Sequence, residues 1–365
     1  MQIEAAVFRK PHDPLTIETV DLDKPMPREV LVRTVATGVC HSDLHVVDGV
    51  GRWPLDRPIV LGHEGAGVVE AVGSEVTSVR VGDHVVACLS GFCGTCAQCL
   101  SGHPNVCSNS IVARKEAEAP RLSLGGQPVR QFINISSYAE KMLLHENSIV
   151  RIDSEIPLDK AALVGCGVLT GVGAALRSAG LEAGQTVAVY GCGGVGLSIV
   201  QGARIGGARQ IIAVDMFESK REMALRVGAT HFVNSAEDDP VQAVRALTQG
   251  AGVDHAFEAV GNAKLCRQAI ESLAIRGTAT IVGVLPPDAM IEFPWMAIRP
   301  ECRVQTSRMG SNRFRIDIPH YLEFYKQGRL DLDAMVTKTG HLGDINEAFR
   351  AMKAGEVART VLTFD

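Results

Sequence analysis

The segment from Thr186 to Gly196, TVAVYGCGGVG, decides the fold of this chain. A short apolar run typical of a β-strand ends at Tyr190, and an apolar helical pattern begins a few residues later. Between them lie Gly191, Gly193 and Gly196, spaced as G-x-G-x-x-G. In this context the glycines permit a tight turn, a close approach of a pyrophosphate to the backbone, and packing of the helix on the strand. The segment therefore predicts the first βαβ unit of a dinucleotide-binding domain.

The next predicted strand, QIIAVD, ends at Asp215, 19 residues beyond Gly196. An acidic side chain at this position accepts hydrogen bonds from the adenosine ribose hydroxyls. The same carboxylate repels a 2′-phosphate, so the sequence favours NAD over NADP. Lys220 and Arg221 lie nearby and moderate this preference, because a cation would help to hold a phosphate.

The chain has 365 residues, more than one hydrophobic core usually supports, so two domains are expected. The first part is rich in short β-branched runs separated by Gly, Pro and Asp turns, whereas strands and helices alternate after Leu169. We predict a mainly β domain from residues 1–167 and 309–365, with a structural-zinc lobe at 90–110. Residues 168–308 are expected to form an inserted cofactor domain with a doubly wound parallel sheet.

Composition excludes some classes of partner. The formal net charge is -5 and no long Lys or Arg run occurs, which argues against nucleic-acid binding. No apolar stretch is long enough to span a membrane, and the N-terminus lacks the pattern of a secretion signal. We therefore expect a cytoplasmic protein that acts on small molecules. In the cytosol, the ten cysteines are better explained by metal binding or catalysis than by disulfides.

Four of these cysteines form one compact cluster in the segment FCGTCAQCLSGHPNVC. Spacers of two residues let successive thiolates converge on one tetrahedral ion, and four sulfurs leave no open position, as in a structural zinc site. An iron–sulfur cluster uses similar spacing. His103 lies inside the loop and is interpreted as a bystander. The cluster comprises Cys93, Cys96, Cys99 and Cys107.

Three further segments offer ligands in glycine-flanked settings: GVCHSDLH around Cys40, LGHEGAG around His63 and Glu64, and VGCGVLTG around Cys166. Each segment alone is weak evidence for a metal site, because a single Cys or His at the end of an element is more often structural than ligating. Together, two thiolates and one imidazole with an open fourth position would describe a catalytic zinc that can hold an alcohol oxygen.

The ordered set of these motifs resembles the zinc-containing medium-chain alcohol dehydrogenase family, and within it the longer, liver-type branch. The resemblance covers nearly the whole chain, from GVCHSDLHVVDG to the terminal ARTVLTF. It implies a GroES-like, mainly β catalytic domain joined to a Rossmann domain that binds NAD. It also implies two zinc ions per chain, one catalytic and one structural.

The resemblance assigns roles around the catalytic zinc. Cys40, His63 and Cys166 are the implied ligands, with Glu64 close enough to exchange onto the metal. Zinc stabilises the alkoxide of the substrate, and a hydride passes from its carbon to the nicotinamide. The released proton is expected to pass from Ser42 through a cofactor ribose hydroxyl to His45, and Asp43 is expected to orient His63.

The resemblance also assigns contacts to the cofactor. Lys220 matches a ribose contact and Arg359 a pyrophosphate contact, while the glycine loop includes Gly194. His41 stands where many relatives carry Arg, so we expect NAD to bind more loosely and to bind more tightly below about pH 6.5. Four valines are candidates for the nicotinamide wall, although a plain core explains them equally well: Val195, Val260, Val282 and Val284.

The implied substrate channel is apolar, which suits uncharged primary or secondary alcohols, allylic and benzylic ones included, and the corresponding aldehydes. Its lining residues are Ser42, Trp53, Leu89, Phe132, Ile133 and Val284.

A thiol-dependent formaldehyde dehydrogenase of the same family is the alternative, and it would need a basic site for carboxylates, with Arg52, Arg57, Arg114 and Lys115 as candidates. A non-catalytic zinc- and NAD-binding regulator is a further alternative. We expect a homodimer or homotetramer formed through a strand within residues 291–306.

Overall fold

The computed structural model describes residues 1–51, 53–109 and 111–364, which group into two compact units. The first unit comprises Met1–Cys166, Arg313–Lys326 and Met335–Asp365. The second comprises Gly167–Asn312 and Gln327–Ala334.

In the C-terminal part of the chain, the boundary between the two units therefore differs from the one expected at residue 309. Residues 327–334 pack with the second unit, because the Gln201 side chain accepts from Asp331 N at 2.6 Å and Arg204 donates to Arg329 O at 2.7 Å. Residues 309–312 also remain there. A Cβ on Gly310 would lie 2.6 Å from Leu169 O, so the two backbones are in close contact.

The strands are numbered in chain order. They are β1 (Gln2–Phe8), β2 (Thr16–Leu22), β3 (Glu29–Gly38), β4 (Ile59–Val60), β5 (Glu64–Val72), β6 (His84–Ala87), β7 (Leu122–Leu124), β8 (Gln127–Gln131), β9 (Lys141–His145), β10 (Ile149–Arg151), β11 (Thr186–Tyr190), β12 (Gln210–Asp215), β13 (His231–Asn234), β14 (Val253–Glu258), β15 (Leu273–Ile281), β16 (Arg303–Thr306), β17 (Val336–Gly340) and β18 (Arg359–Thr363).

The helices are α1 (His41–Val47), α2 (Ala97–Leu100), α3 (Leu158–Ala161), α4 (Gly167–Gly173), α5 (Gly194–Ile205), α6 (Arg221–Val227), α7 (Pro240–Leu247), α8 (Ala263–Glu271), α9 (Phe314–Lys326), α10 (Leu332–Met335) and α11 (Ile345–Lys353). Short 3₁₀ turns lie at Pro104–Val106, Phe132–Asn134, Glu146–Ser148, Ala162–Gly165, Glu218–Lys220, Trp295–Ala297, Met309–Ser311 and Leu342–Asp344, and a π-turn at Ala174–Ser178.

The first unit is mainly β. Its described strands form a closed barrel in the order β1-β2-β7-β8-β4 and a sheet in the order β10-β6-β5-β3-β18-β17, with β9 also paired to β3. Strand β1 shows how the alternation of side chains builds two cores at once. Ile3, Ala5 and Val7 enter one apolar cluster of the first unit, whereas Ala6 and Phe8 enter another, around Tyr138 and Phe349.

The second unit contains a parallel sheet. Its described strands run in the order β13-β12-β11-β14-β15-β16, and every neighbouring pair is parallel. In the order of their appearance, this is the 3-2-1-4-5-6 arrangement of a Rossmann fold. The fold class expected from the glycine-containing segment is confirmed. The carboxyl ends of β11 and β14 lie where such sheets bind ligands, and they carry the glycine loop and the turn after Glu258.

A buried cluster of ion pairs stabilises the first unit. The Glu29 side chain is 5% exposed and accepts from Arg121 Nε at 2.7 Å and from Arg114 Nε at 2.9 Å. Arg114 also donates to Asp23 at 2.6 Å and to the backbone of Ala119 at 2.9 Å. The bonds to Glu29 join residues more than 80 positions apart in the chain, so the cluster fixes the long segment after the four-cysteine loop onto β3.

Within the described ranges, no single helix is long and apolar enough to cross a membrane. The bent pair formed by Leu158–Gly165 and Gly167–Ser178 passes the same test by length and composition only.

Candidate metal and cofactor sites

Strand register brings the predicted ligands of the catalytic metal together. Strands β3 and β5 pair antiparallel with Gly38 opposite Glu64. Cys40 follows β3 by two residues and caps α1, and His63 immediately precedes β5, so both side chains leave the same end of the sheet. Cys166 follows the turn Ala162–Gly165. The ligand atoms of Cys40, His63, Glu64 and Cys166 all lie within 4.8 Å of one another.

The orientation of His63 is fixed by Asp43. His63 Nδ1 lies 3.1 Å from Asp43 Oδ2, and both side chains are fully buried. Asp43 is held in turn by the backbone N–H of Gly62 at 2.8 Å and by the hydroxyl of Tyr138 at 3.0 Å. The imidazole also interacts with the Cys40 thiol, so its other nitrogen lies toward the ligand cluster. The nitrogen that faces the cluster is therefore available to a metal, as in zinc sites where a carboxylate orients the histidine.

Tyr138 was not predicted from the sequence. It lies in the run ISSYAE, which has no ligand spacing and no glycine punctuation, and its hydroxyl reaches Asp43 across 95 residues of chain. Only tertiary packing assembles the chain of contacts from Tyr138 through Asp43 to His63.

Arg359, the expected pyrophosphate contact, is buried beside Glu64 in this structure. Its side chain is 5% exposed, forms an ion pair with Glu64, and donates to Val39 O at 3.3 Å. The reason is electrostatic: Glu64 is fully buried, and a buried carboxylate requires a counter-charge. Gly38 makes room for this pair, because a Cβ there would lie 2.1 Å from Glu64 Oε2.

The ionisation of this cluster matches a divalent cation. A hydrogen bond from Cys166 and the charge of His63 lower the pKa of the Cys40 thiol well below its usual value, while the same contact raises the pKa of Cys166. Burial opposes protonation of His63, yet the charges of Asp43 and Cys40 raise the pKa of the imidazole. Burial raises the pKa of Glu64 to about 7 against the effect of Arg359. Cys40, Cys166 and Glu64 oppose one another's ionisation because their charges are alike, so a cation held between them would stabilise all three anions together.

Helix α1 carries the residues expected to move the proton. Ser42 and His45 are three positions apart and so share one face of the helix, and both are partly exposed. His41 is exposed at the start of the same helix. The helix begins directly after Cys40, which places a hydroxyl two residues from a predicted metal ligand.

An aromatic wall borders the metal cluster. The ring of Phe132 packs against His63 with the ring centroids 5.8 Å apart, and Trp53 packs on Phe132 at 5.1 Å. Ile133 is partly buried beside them and has a positive φ of 50°. Leu89 is partly buried against a separate cluster that contains Ile135, so it packs on the β core. Val284, the remaining predicted wall residue, belongs to the second unit.

The four-cysteine loop forms a second metal cluster. Its sulfur atoms all lie within 4.8 Å of one another, and the N–H groups of Cys96 and Cys93 donate to Cys93 Sγ and Cys107 Sγ at 3.2 and 3.3 Å. Backbone donors at Cys99 and Ser108 lower the pKa of Cys96 to about 5. Among the described residues, four converging and partly ionised sulfurs make up the whole of this cluster, which fits a closed tetrahedral zinc site.

The glycine loop of the second unit has the predicted geometry. Gly191 has a φ of +98°, which favours glycine, and a Cβ on Gly196 would lie 1.7 Å from Gly191 O. The space next to Gly193 is open for at least 4 Å, as an approaching pyrophosphate would require. Gly194 begins α5, so the N-terminus of this helix faces the open side.

Asp215 lies at the end of β12 beside this loop. Its carboxylate accepts from Cys192 N at 2.7 Å and from Lys220 Nζ at 3.0 Å. Lys220 thus lies beside the predicted ribose site, but in this structure its charge is paired with the acid. This pairing reduces the positive charge that would favour NADP.

The four valines are not a plain core. Val260 and Val284 are 51% and 62% exposed, and Val195 and Val282 are partly exposed. They lie at or just beyond the carboxyl ends of parallel strands, where a cofactor would cover them. Exposed β-branched side chains in this position favour the predicted wall.

The second unit is a Rossmann fold with an open glycine loop. The first unit is mainly β and carries two convergent sets of cysteine and histidine ligands. Together these features define a metal-dependent dehydrogenase that uses a dinucleotide. Comparison with known proteins gives the family. The GroES-like domain of alcohol dehydrogenases matches residues 26–154, and the family described as zinc-binding dehydrogenase matches residues 194–327. The S-(hydroxymethyl)glutathione dehydrogenase of Paracoccus denitrificans is 37% identical over 377 aligned positions that cover all of both chains.

Solved structures agree. An alcohol dehydrogenase zinc-binding domain protein from Burkholderia ambifaria superposes with a TM-score of 0.94 at 38% identity, covering 100% of this chain and 99% of that one. Benzyl alcohol dehydrogenase from Acinetobacter calcoaceticus superposes with a TM-score of 0.92 at 33% identity, covering both chains fully. The chain belongs to the zinc-containing alcohol dehydrogenase family. It is an oxidoreductase that uses zinc and a nicotinamide dinucleotide and acts on small molecules.

The metal and the protein side chains would have different roles in the chemistry of this site. Zinc supplies the Lewis acidity that lowers the pKa of an alcohol. Asp43 and Tyr138 hold His63 in one orientation, and the ring of Phe132 packs against the imidazole.

Proposed function

We propose that the enzyme transfers a hydride between an uncharged alcohol with an apolar, benzylic-type substituent and NAD. The contact of Phe132 with His63 carries this proposal, because it places an aromatic ring against a predicted zinc ligand. Trp53 extends the aromatic surface and is 38% exposed, so one face of the wall is open to a substrate. Aromatic rings prefer tilted or offset partners at such distances, which suits a benzylic ring better than a polyhydroxylated or charged substrate.

Cys40, His63 and Cys166 are proposed as the zinc ligands that persist, with Glu64 as an exchangeable fourth ligand. Ser42 and His45 are proposed as the proton path: the Ser42 hydroxyl takes the substrate proton as it gives up its own, which passes through a ribose hydroxyl of the cofactor to the imidazole. Arg359 is proposed to balance the charge of Glu64. The proposal is supported by the convergence of the ligand atoms and by the contact of Asp43 with the far nitrogen of His63.

A preference for NAD over NADP is supported by Asp215. Its carboxylate is 6% exposed and lies beside the glycine loop, where a 2′-phosphate would meet a fixed negative charge. The ion pair with Lys220 leaves the acid as the dominant feature of this site.

A thiol-dependent formaldehyde dehydrogenase is the second candidate, because the relative from Paracoccus denitrificans carries that name. The structure offers it little cationic support. Arg114 is 7% exposed at its side chain and paired with Glu29 and Asp23, and Arg57 is paired with Asp56 at 3.0 Å. Lys115 is exposed, and Arg52 lies outside the described residues.

A comparison of two substrates separates these candidates. Initial rates are measured with benzyl alcohol and with formaldehyde plus glutathione, each with NAD and with NADP. We expect kcat/KM to be highest for benzyl alcohol with NAD, and a Phe132→Ala variant to lose most of that advantage while ethanol oxidation changes less. Higher activity with the glutathione adduct than with benzyl alcohol would overturn the proposal in favour of the second candidate.

A homo-oligomer formed through the second unit is also proposed. Strand β16 is the outer strand of the described sheet, and Val304 within it is 49% exposed. The preceding segment exposes Met290, Trp295 and Met296 at 74%, 81% and 86%. An exposed strand edge beside large apolar side chains favours pairing with a second copy. Light scattering of the purified protein tests this, and a monomer would contradict it.

A further inference from the structure

One peptide unit beside the four-cysteine cluster is held from both sides. The carbonyl of Phe92 accepts from Asn147 Nδ2 at 2.7 Å, and the N–H of Cys93, which belongs to the same peptide, donates to Cys107 Sγ at 3.3 Å. The peptide is trans, as are all those of the described residues. Because a trans peptide is planar, its C=O and N–H groups point in opposite directions. A donor that fixes this carbonyl therefore also fixes the direction of the N–H toward the sulfur.

The side chain of Asn147 has only one possible orientation. Asn147 is the middle residue of the turn Glu146–Ser148 and is 6% exposed. Its Oδ1 atom accepts from Arg315 Nη2 at 3.2 Å. A guanidinium can only donate, so the amide oxygen must face Arg315 and the amide NH₂ must face the Phe92 carbonyl. The donor of this hydrogen bond is thus fixed by chemistry as well as by distance.

The start of helix α9 holds both partners of that bond. Arg315 Nη2 also donates to the backbone carbonyl of Glu146 at 2.6 Å, and its Cζ atom lies 5.1 Å from the ring centroid of Phe92. The same ring packs edge-on against Phe314 at 5.8 Å. A guanidinium within about 6 Å of a ring centroid is attracted to the aromatic face. Asn147 and Phe92 therefore share one support.

The chain that enters the four-cysteine loop lies directly on this turn. A Cβ on Gly91 would lie 2.8 Å from Ser148 Oγ, and Cys88 N donates to Ser148 O at 2.8 Å. The loop beyond it has little packing of its own, since helix α2 contains no buried residue. The contacts of Phe92 and Gly91 are thus a main anchor of the loop on its N-terminal side.

We infer that Asn147 is a positioning residue for the ion of the four-cysteine cluster, acting on Cys107 through the peptide that joins Phe92 to Cys93. A hydrogen bond to the carbonyl polarises that peptide and strengthens its N–H as a donor, and an N–H that donates to a thiolate stabilises the negative charge. The inference rests on this cluster holding zinc, which its four converging sulfurs fit. No ligand spacing points to Asn147, and the proposed catalytic ligands and proton path do not include it.

Cadmium is the probe that tests this role. It replaces zinc at both metal clusters, and ¹¹³Cd NMR separates a site with four thiolates from one with two, because each thiolate deshields the nucleus. The loaded protein is titrated with EDTA, and the intensity of each resonance gives the affinity of its site. No substrate is present, and the four-thiolate resonance is measured by itself, so an error in the proposed substrate or catalytic ligands would not alter the result.

The decisive variant is Asn147→Asp, which keeps an acceptor for Arg315 and replaces only the donor to the Phe92 carbonyl. We expect it to weaken cadmium binding at the four-cysteine cluster by about tenfold. This is the lower end of the loss of about 10- to 100-fold that is typical when a residue behind a metal ligand is changed, since Asn147 acts through a peptide. The two-thiolate resonance should change by less than about twofold. Asn147→Ala removes the donor without adding a charge, and it makes the comparison if the aspartate variant does not fold.

Asn346→Asp is the matched control. Asn346 on α11 also donates through Nδ2 to a backbone carbonyl and accepts through Oδ1, with Leu15 O and Leu15 N both at 2.9 Å. The substitution removes the same kind of donor from the first unit, away from the four-cysteine loop. We expect no change at either metal site. Thermal unfolding of every variant shows whether the fold is retained.

Two results would assign Asn147 a purely structural role and overturn the inference. One is an unchanged affinity at the four-thiolate site in the folded Asn147 variants. The other is an equal loss at both metal sites, which would indicate a general loosening of the first unit. A native protein without a four-thiolate resonance would also overturn it, because the premise of a metal at this cluster would then fail.

Discussion

The buried ion pairs around Glu29 allow a quantitative prediction of how much this acid stabilises the first unit, and the result tests whether Arg114 is held within the cluster. Burial would raise the pKa of the Glu29 carboxyl, but the bonds from Arg114, Arg121 and the backbone of Met26 lower it from 4.5 to about 2. A shift of this size corresponds to about 3 kcal/mol of folding free energy at pH 7. If Arg114 is committed to this cluster, Glu29→Gln should destabilise the first unit by about that amount, which also agrees with the cost of breaking a buried ion pair.

The sign of the pH dependence follows from the direction of the shift. A carboxyl whose pKa is lower in the folded state contributes its full stabilisation above pH 4.5 and loses it as the pH falls toward 2. The native protein should lose about 1 kcal/mol of this contribution by pH 4 and about 2 kcal/mol by pH 3. Glu29→Gln lacks the titrating group, so the difference between native and variant should shrink over the same interval.

Urea unfolding monitored within the first unit, at pH 7 and at pH 4, measures this difference. Glu18→Gln is the control, because Glu18 on β2 pairs with Arg9 at side-chain exposures of 26% and 44% and should contribute under about 1 kcal/mol. A Glu29→Gln variant as stable as the native protein at pH 7 would refute the reasoning. It would also restore Arg114 as a cation available to a carboxylate substrate.

Four further outcomes are expected. Asp43→Asn should weaken zinc at the His63 cluster by about 10- to 100-fold in a chelator competition, while the four-cysteine ion stays bound. Cys40→Ala should remove about one zinc per chain together with activity, and retention of both ions would show the ligand assignment to be wrong. Asp215→Ala should raise kcat/KM for NADP relative to NAD by about tenfold or more, and an unchanged ratio would contradict the role of the acid. His41→Arg should tighten NAD binding at pH 8 more than at pH 6. If the native protein and the variant bind NAD with the same affinity at both pH values, the proposed role of His41 is wrong.

The Rossmann half of the fold could be predicted because its signals are local. The glycine spacing, the strand before it and Asp215 all lie within residues 186–215, and each follows from backbone geometry that the structure reproduces at Gly191 and Gly196. The four-cysteine loop is equally local. In both cases the residues that define the site are neighbours in the chain.

The charge network of the catalytic cluster could not be predicted in the same way. Glu64 and Arg359 are 295 positions apart, and Tyr138 meets Asp43 across 95. No periodicity reports such a contact. The family resemblance implied that Arg359 binds a phosphate, whereas the burial of Glu64 pairs it with a carboxylate. Glu258 was not predicted for a different reason. Its carboxylate accepts hydrogen bonds from the N–H groups of nearby Val260, Gly261 and Asn262, but a buried acid at a strand end has no sequence pattern of its own.

Strand β18 is translated long after Glu64, whose charge its Arg359 balances, so the cluster around Glu64 is completed late in synthesis. It pairs with β3 through Val361 and Gly38, which places the guanidinium of Arg359 beside a carboxylate that was synthesised 295 residues earlier. During translation, Glu64 and its neighbours are thus exposed before their counter-charge exists. Until β18 docks, this acid lacks its arginine partner, and the edge of β3 from Ala36 to Gly38, beyond its pairing with β9, stays open. A ribosome-bound chain that lacks its last strand is the state in which we expect chaperone contact or premature metal capture to occur.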